Sequence, residues 1–572
     1  MASAPASVDS AGSAAAFAGR EFDVVVIGAG LAGLIVARNS LRRGLSVLVF
    51  EARNRVGGRC WTREFPAAGH SVEMGGEWVD MDVHDGMKDE CAQYGIPLVR
   101  PDVEKSAWNF HFPGRKVISR CQMPSSEQRD YERVVQLLNE DLSRILFKSG
   151  YDLEDVEYID VSFREYVEKR LMCKSTSFMH DYLLAEAFRL SGGTDCETVS
   201  ALSVLHDLCG FGSLEERFNT KPRRGDPFKK KDLARLGGGG TSALCEAMAE
   251  EIKSRGGTIR LSSPVGAIFC EDTAKEPPPR WCAMCAVYTY PFCSLHGPRV
   301  VVADGLGVMY RARACVVAVP LNCLPCIKFV PPLPDALAHA AEVGNVGDCS
   351  KTWALATDVA WDVDEVLSWP SCPLSYVSHR GLPADVLGSS SGPEADQDLA
   401  TAWPGTTTAG AGQEGGEESP GAETGAGPVH VVCMLALKET LPPATASQAE
   451  YKAAAEAMLR KNHHPSLRLQ RVLAYDWKTD RWAKGSAMAL RAGGGRLVAT
   501  ACTTARQPWA HTRNLFVAGS DLVVGWAGWM EGAVQSGQEA FAAIERFMFP
   551  VLPEGRWMKK IHAKDDNRLG AK

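Results

Sequence analysis

The feature that most constrains this chain is an apolar run that ends in three spaced glycines. Phe22 to Ile27 carries no charge after Asp23 and is rich in β-branched residues, the pattern of a strand buried on both faces. Gly28, Gly30 and Gly33 follow at once. The first allows a tight turn out of the strand and the second lets a pyrophosphate approach bare backbone. The third lets a helix, expected over Leu31–Arg43, pack closely on the sheet. The start of that helix offers unpaired N–H groups and the positive end of its dipole to an anion. Gly44 ends the helix, a second buried strand is expected over Leu45–Phe50, and Glu51 stands at its end. A carboxylate roughly 20 residues past the glycines can accept hydrogen bonds from a ribose diol. Strand, glycines, helix, strand and acid in this order read as a dinucleotide cradle in an α/β fold.

The residues after Glu51 sharpen this reading. Glu51-Ala52-Arg53-Asn54-Arg55-Val56-Gly57-Gly58-Arg59 adds a second glycine pair with cationic flanks. This segment resembles the FAD fingerprint of the flavin amine oxidase family. The resemblance implies that backbone at Gly57 and Gly58 approaches the flavin side of the pyrophosphate, that Arg53 belongs to the same cradle, and that Arg59 supplies charge-assisted donors. Gly75-Gly76-Glu77-Trp78-Val79, where Gly76, Glu77 and Trp78 fall near the flavin in the family, extends the match.

Near the other end of the chain, Leu515–Ala518 reads as a strand, Gly519-Ser520-Asp521 as a turn and Glu531–Glu545 as a helix. Gly525-Trp526-Ala527-Gly528-Trp529-Met530-Glu531-Gly532-Ala533 is similar to the family's flavin-covering motif. By resemblance, Asp521 contacts the ribityl-pyrophosphate region, the Met530 backbone the pyrimidine end of the flavin, and Trp529 forms one wall of the cage that orients the amine. A core tryptophan beside a helix is the plain alternative for Trp529. Val265, after a glycine cluster and a helix opening near Thr241, matches the residue whose backbone holds adenine.

Lys351, after Gly344-Asn345-Val346-Gly347 and entering a strand expected over Thr352–Ala356, matches the family's lysine that holds a water against flavin N5. Buried in a strand, its head group needs a partner or a lowered pKa; a surface lysine on a strand edge is the bland alternative. Trp477 fits the family tryptophan near the dimethylbenzene edge. Two positions depart from the pattern. Membrane monoamine oxidases carry a flavin-linking cysteine before an aromatic cage residue, whereas this chain has Ser486 and then Ala487. Noncovalent FAD is therefore expected, as in the soluble fungal monoamine oxidases, which the chain resembles most from about residue 21 to 548. With Ala487 in place of the second ring, a wider site suited to bulky or secondary amines is expected. Asp80 falls where some polyamine oxidases attract a distal ammonium; a solvated acidic loop with Glu77 and Asp82 is the alternative.

The resemblance implies a Rossmann-like, doubly wound FAD domain assembled from noncontiguous segments, 21–98, 232–325 and 481–548. A substrate domain of helices (99–231) and mixed sheet (326–480) is expected between them, with tails at 1–20 and 549–572. Helices are expected over Ser126–Phe147, Val161–Leu171 and Ser177–Leu190. The implied reaction passes a hydride equivalent from the α-carbon of an amine to the flavin; the imine hydrolyses to a carbonyl compound, and dioxygen reoxidises the flavin to give hydrogen peroxide. A desaturase or porphyrinogen-type oxidase of the same fold, and an FAD-binding protein with weak catalysis and an interaction role, remain as rivals.

Two insertions stand apart. Asp385–His430 holds eight acidic residues and no Lys or Arg amid Gly, Ser, Thr, Ala and Pro, a composition expected to stay disordered. The segment 271–299 contains Cys282-x-x-Cys285 and Cys293-x-x-His296, spacing that fits a structural zinc site, although Pro277–Pro279 suit an ordinary irregular loop as well. A net charge of −7 argues against a general nucleic-acid binder, and 18 cysteines scattered over 572 residues suit a reducing compartment. No apolar run reaches the roughly 18 residues of a membrane span. The Ser/Ala-rich start lacks the pattern of a secretory signal, the basic end lacks an anchor helix, and Gly570-Ala571-Lys572 is not a peroxisomal ending. A cytoplasmic protein, without a membrane partner and with homo-oligomerisation left open, is the expectation.

Overall fold

The computed structural model describes residues 21–65, 71–100, 109–111, 125–145, 157–210, 233–270, 299–348, 350–357, 366–368, 374–382, 429–436, 447–462, 465–506 and 514–549. The zinc candidates Cys282, Cys285, Cys293 and His296 lie outside them, as does the acidic segment except Val429 and His430, which already belong to the strand Val429–Ala436.

An eight-stranded sheet forms the half that carries the glycine-rich N-terminal segment. Its order is Lys328–Val330, Val265–Cys270, Val300–Asp304, Met309–Val317, Glu21–Ile27, Val47–Phe50 and Thr258–Arg260, and Leu515–Val517 also pairs with Met309–Val317. The strands flanking Glu21–Ile27 run parallel to it. The strand Val300–Asp304 is antiparallel to both neighbours, so the sheet is mixed on that side. Alternation along each strand sends successive side chains to opposite faces. Val24, Val26, Val47, Val49 and Val316 pack under the helices Leu31–Arg42, Gly240–Ser254 and Met530–Met548. Val25, Ile27, Leu48, Phe50 and Val317 meet the helices Asp335–Val343 and Gly495–Arg506 on the other face. Both faces are covered, which explains why these strands read as continuous apolar runs. At Gly33 the helix comes close to the sheet: a Cβ there would lie 2.0 Å from the Gly28 carbonyl oxygen and 3.2 Å from Ala318 Cβ.

The second half is built on an antiparallel sheet in the order Leu374–Leu382, Val429–Ala436, Ser350–Thr357 and Arg468–Asp476. Its core joins Trp353, Leu355, Cys433, Leu473 and Tyr475 to Phe65, Val72 and Met74. A helical group, with Ser125–Leu142, Phe178–Leu190 and Ala201–Gly210 as its main members, closes around Tyr166, Leu183 and Leu205. The expected helix Val161–Leu171 is instead a single α-turn, Phe163–Glu165, continuing into a wide π-turn over Tyr166–Arg170. There both Tyr166 Oη, at 2.7 Å, and Arg170 Nε, at 3.1 Å, reach the buried Asp141 carboxylate, which satisfies a charge that burial would otherwise penalise. Among the described residues no helix is long and apolar enough to cross a membrane, and no cluster of His, Cys, Asp and Glu has the makings of a metal site.

Candidate active site

The cradle forms as its glycines require. The helix Leu31–Arg42 starts at Gly30 with no side-chain cap, leaving its first N–H groups directed at the loop. A Cβ on Gly30 would have no protein atom within 4 Å, so the backbone there faces open space that a ligand can approach. Gly57 (φ +99°) and Gly58 (φ +59°) turn in the left-handed region, and the Gly57 N–H donates to Ala29 O at 2.8 Å, laying the second glycine pair beside the first. Glu51 is buried; its Oε2 accepts from Ala29 N at 2.8 Å and its Oε1 from Arg53 N at 2.9 Å. A carboxylate has about four lone-pair positions, so acceptor capacity remains for a ribose diol. Arg53 pairs with Asp480 at 2.6 Å, tying the cradle to the loop after Trp477.

The distant segments converge here. Arg59 donates to Asp521 Oδ1 at 2.6 Å and to the Ser486 carbonyl at 2.8 Å, while Asp521 Oδ2 accepts the Leu321 N–H at 3.0 Å. Gly76 lies against Met530, where a Cβ would come within 2.9 Å of the side chain. The helix Met530–Met548 begins at Trp529 without a side-chain cap, so its first amides also face the site. The carboxylate of Glu531 in that first turn is turned away and accepts from Gly86 and Met87 amides at 3.0 and 2.8 Å, capping the helix Asp85–Gln93. Val265 opens the strand Val265–Cys270 opposite Asp304. Glycine turns without Cβ atoms, uncapped helix starts and a cationic side chain beside them form a donor set that fits FAD.

Lys351 is buried in the strand Ser350–Thr357 and points at the segment Gly75–Glu77. Its Nζ lies 2.7 Å from Glu77 Oε2 and 3.2 Å from Gly75 O. Burial alone would lower the Lys351 pKa, but the Glu77 carboxylate, with Cys433 and Glu73 adding to it, raises it above the ordinary value. Of the two outcomes expected for a buried lysine, a partner or a lowered pKa, the partner prevails, and Lys351 is not a strand-edge surface residue. Arg235 Nε holds the other Glu77 oxygen at 3.0 Å, and its guanidinium lies 4.2 Å above the Trp78 ring. Trp477 is buried, donates Nε1 to Met74 O at 2.7 Å, and stands beside the Gly75 backbone.

Trp529 is half-buried rather than a core residue, and its ring is braced by His84 at 5.5 Å and by Trp526 at 6.0 Å. Ala487 runs beside it: a Cβ on Gly528 would meet Met488 N at 2.5 Å. Behind Ala487 stands Gly192, where a Cβ would come 3.0 Å from the Ala487 methyl, so the helical half closes that side. Asp80 is buried, with Oδ1 accepting from Asp82 N at 2.9 Å; it is not part of a solvated acidic surface, whereas Asp82 is exposed.

Residues 31–544 match the family described as flavin containing amine oxidoreductase. The chain belongs to this family. It is 27% identical over 335 residues to (S)-6-hydroxynicotine oxidase of Paenarthrobacter nicotinovorans, covering 57% of this chain and 66% of that protein, just under two thirds. It is 24% identical to pseudooxynicotine dehydrogenase of Pseudomonas sp, over 92% of this chain and 87% of that one. The fold matches putrescine oxidase bound to putrescine, with a TM-score of 0.64 at 19% identity over 92% of this chain and 99% of that one. Cyclohexylamine oxidase from Brevibacterium oxydans IH-35A gives a TM-score of 0.65 at 18% identity over the same shares of each chain. In this flavin amine oxidoreductase, Arg235, His84 and Gly192 were not foreseen because no motif marks them, and the Ser486 carbonyl was not because it acts through backbone, which the residue type does not reveal. A second CxxC, Cys323-x-x-Cys326, also escaped notice beside the one at Cys282, although its spacing is plain in the sequence.

Proposed function

We propose that this chain is an FAD-dependent amine oxidase acting on bulky or secondary amines, with FAD bound noncovalently. The observation that carries the reading is Lys351, a buried ammonium held between Glu77 and Gly75, beside the point where Gly76 lies against Met530. Bound FAD supplies a two-electron acceptor that dioxygen reoxidises, giving hydrogen peroxide. The protein's part is binding, orientation and water exclusion. Gly30, Gly57 and Gly58 admit the pyrophosphate, Glu51 takes the ribose, Val265 the adenine, and Arg59 and Asp521 the phosphate-ribityl region. Lys351 keeps its proton on Nζ and acts as a donor; two of its three hydrogens have partners, and the third can hold a water. Trp529 orients the amine against one wall and Ala487 leaves the other open. Asp80 contributes negative potential that favours a cationic substrate over an amino acid. In becoming an imine the amine loses two electrons and two protons, one proton from the α-carbon together with the electron pair and one from nitrogen, and water hydrolyses the imine.

The names of the first two relatives, both nicotine-derived, and cyclohexylamine oxidase support a site for amines bulkier than a linear primary chain. A cytoplasmic location is the matching proposal; a structural zinc plays no part in it. The test is to purify the protein, release a yellow flavin by denaturation, and screen amines for anaerobic bleaching and peroxide formation. Bleaching by cyclic or secondary amines supports the reading. Bleaching only by a polyene or porphyrinogen, or by nothing, overturns it.

A further inference from the structure

A short 3₁₀ helix, Leu321–Cys326, follows the strand Met309–Val317 and carries Cys323 and Cys326 one turn apart. Side chains three residues apart eclipse in this geometry, which brings the two thiols onto one edge. Their environments differ. Cys326 is exposed, while Cys323 is buried. Burial pushes the Cys323 thiol up to about 12, so it stays protonated and unreactive toward solvent-borne oxidants.

The Lys484 ammonium lies 2.9 Å from Cys326 Sγ. This contact is built rather than casual. Lys484 has φ +52°, one of three non-glycine residues in the left-handed region among those described, a conformation that persists only when its surroundings impose it. Three hydrogen bonds impose it: Lys484 N to Asp480 O at 2.8 Å, Asn322 Nδ2 to Lys484 O at 2.6 Å, and Gly485 N to Trp477 O at 2.9 Å. Asn322 belongs to the same 3₁₀ helix as the thiols and is itself fixed by Asn345 N at 2.6 Å. The frame that sets the Lys484 backbone therefore also sets the thiols, and it holds an ammonium against the Cys326 sulfur.

We propose that Cys326 and Cys323 form a peroxide-reactive dithiol, with Cys326 the attacking sulfur, Lys484 its positioning cation and Cys323 the resolving thiol. The Cys326 sulfur attacks a hydroperoxide, the O–O bond breaks, sulfur is oxidised by two electrons to a sulfenic acid, and one water leaves. The Cys323 sulfur then displaces the hydroxyl, the S–S bond forms, and the thiol proton departs with that hydroxyl as a second water. One peroxide is consumed and two waters are made. Hydrogen peroxide from the oxidation proposed above is the nearest source, and only the source rests on that reading, because added peroxide tests the dithiol without any amine.

The experiment uses the full chain with its flavin as purified. It is titrated with hydrogen peroxide, quenched by alkylation after unfolding and digested with trypsin, which releases Ala314–Lys328 with both thiols and the buried Cys315, and fragmentation of the peptide shows which cysteine carries the alkyl group. The expected result is a form of that peptide lighter by two hydrogens, appearing before oxidation of other cysteines. Cys326→Ser abolishes it, and Cys323→Ser leaves a dimedone-reactive Cys326. Lys484→Met slows alkylation of Cys326 roughly three- to tenfold, the scale of a neighbouring cation's effect on a thiol, and Lys484→Arg restores it. A peptide that stays reduced while other cysteines oxidise overturns the proposal, as does an alkylation rate unchanged by Lys484→Met. If Cys323→Ser does not fold, the alkylation rates of Cys326 in the two Lys484 variants still decide it.

Discussion

Lys351 and Glu77 meet at 2.7 Å inside the protein, and Arg235 holds the second oxygen of the same carboxylate at 3.0 Å. Two cations thus share one buried anion, and the members of this triad are not equivalent. Glu77→Gln leaves both cations without their anion and should lower stability by about 3 kcal/mol or more, read by urea unfolding. Lys351→Met keeps the Glu77–Arg235 pair and should cost less, about 1–2 kcal/mol. It should retain flavin but reduce anaerobic bleaching by roughly 100-fold, within the range for a lost proton-holding group. The sign of the pH effect follows from the raised Lys351 pKa. The pair's contribution is fully present below the ordinary value of 10.5 and is lost as pH rises through the higher folded value. The stability gap between wild type and Glu77→Gln should therefore stay level from pH 6 to about pH 10 and narrow beyond. A gap already closing near pH 8 contradicts the pairing.

Gly30 and Gly33 separate ligand binding from folding. A methyl at Gly33 collides with the Gly28 carbonyl at 2.0 Å, so Gly33→Ala should destabilise by about 2–3 kcal/mol through helix displacement. At Gly30, φ is −71° and no protein atom lies within 4 Å of the added methyl. Gly30→Ala should leave the melting temperature of the flavin-free protein within experimental scatter. It should weaken FAD binding at least tenfold, about 1.4 kcal/mol, because the methyl stands where the pyrophosphate approaches. Unchanged FAD affinity, measured by fluorescence titration, would falsify the placement.

The contrast between these groups explains what was legible in the sequence. Gly30, Gly33, Glu51, Gly57 and Arg59 lie within one continuous stretch, where turn, helix start and strand end dictate residue types at fixed spacing, and the structure assembles them accordingly. Lys351 was legible from its motif, but the anion that fixes its charge state was not, since Glu77 lies in another segment and Arg235 in a third. Pairing across a fold leaves no local periodicity. The same limit hid Gly192 behind Ala487 and the Leu321–Asp521 bond. The π-turn at Tyr166–Arg170 was missed for a different reason: apolar spacing reads as helix whether or not a buried acid such as Asp141 widens the last turn.

Glu251 should set part of the acid limit of folding. Its carboxylate joins Arg42 at 2.7 Å, Arg255 at 2.7 Å and Tyr94 Oη at 2.6 Å, linking the helices Leu31–Arg42 and Gly240–Ser254. Hydrogen bonding from Arg42, with Tyr94 and Arg255 adding to it against the effect of burial, depresses its pKa to about 2. A depressed carboxylate contributes stability above its ordinary value of 4.5 and loses it as pH falls through 2. Solvent at the arginines reduces the contribution to about 1 kcal/mol. Glu251→Gln should thus melt earlier than wild type by a constant margin above pH 4.5, and the margin should close as pH falls from there toward 2. A margin that persists below pH 2 would assign the effect to packing instead of charge.

Ala487 makes the substrate-side prediction. Its chain runs beside Gly528 and Trp529, and Gly192 blocks the space behind its methyl, so a larger side chain there has to extend into the site rather than away from it. Ala487→Tyr should therefore place a second ring opposite Trp529 and narrow the opening. Small primary amines gain a ring to align against, while bulky or secondary amines lose room. The specificity ratio, taken as kcat/KM for a secondary cyclic amine over that for a small primary amine, should fall at least tenfold, about 1.4 kcal/mol of differential binding. The FAD spectrum should be unchanged, because the substitution touches neither Arg59 nor its partner Asp521. An unchanged ratio with intact flavin would mean that Ala487 does not border the substrate and that the breadth of the site is set elsewhere.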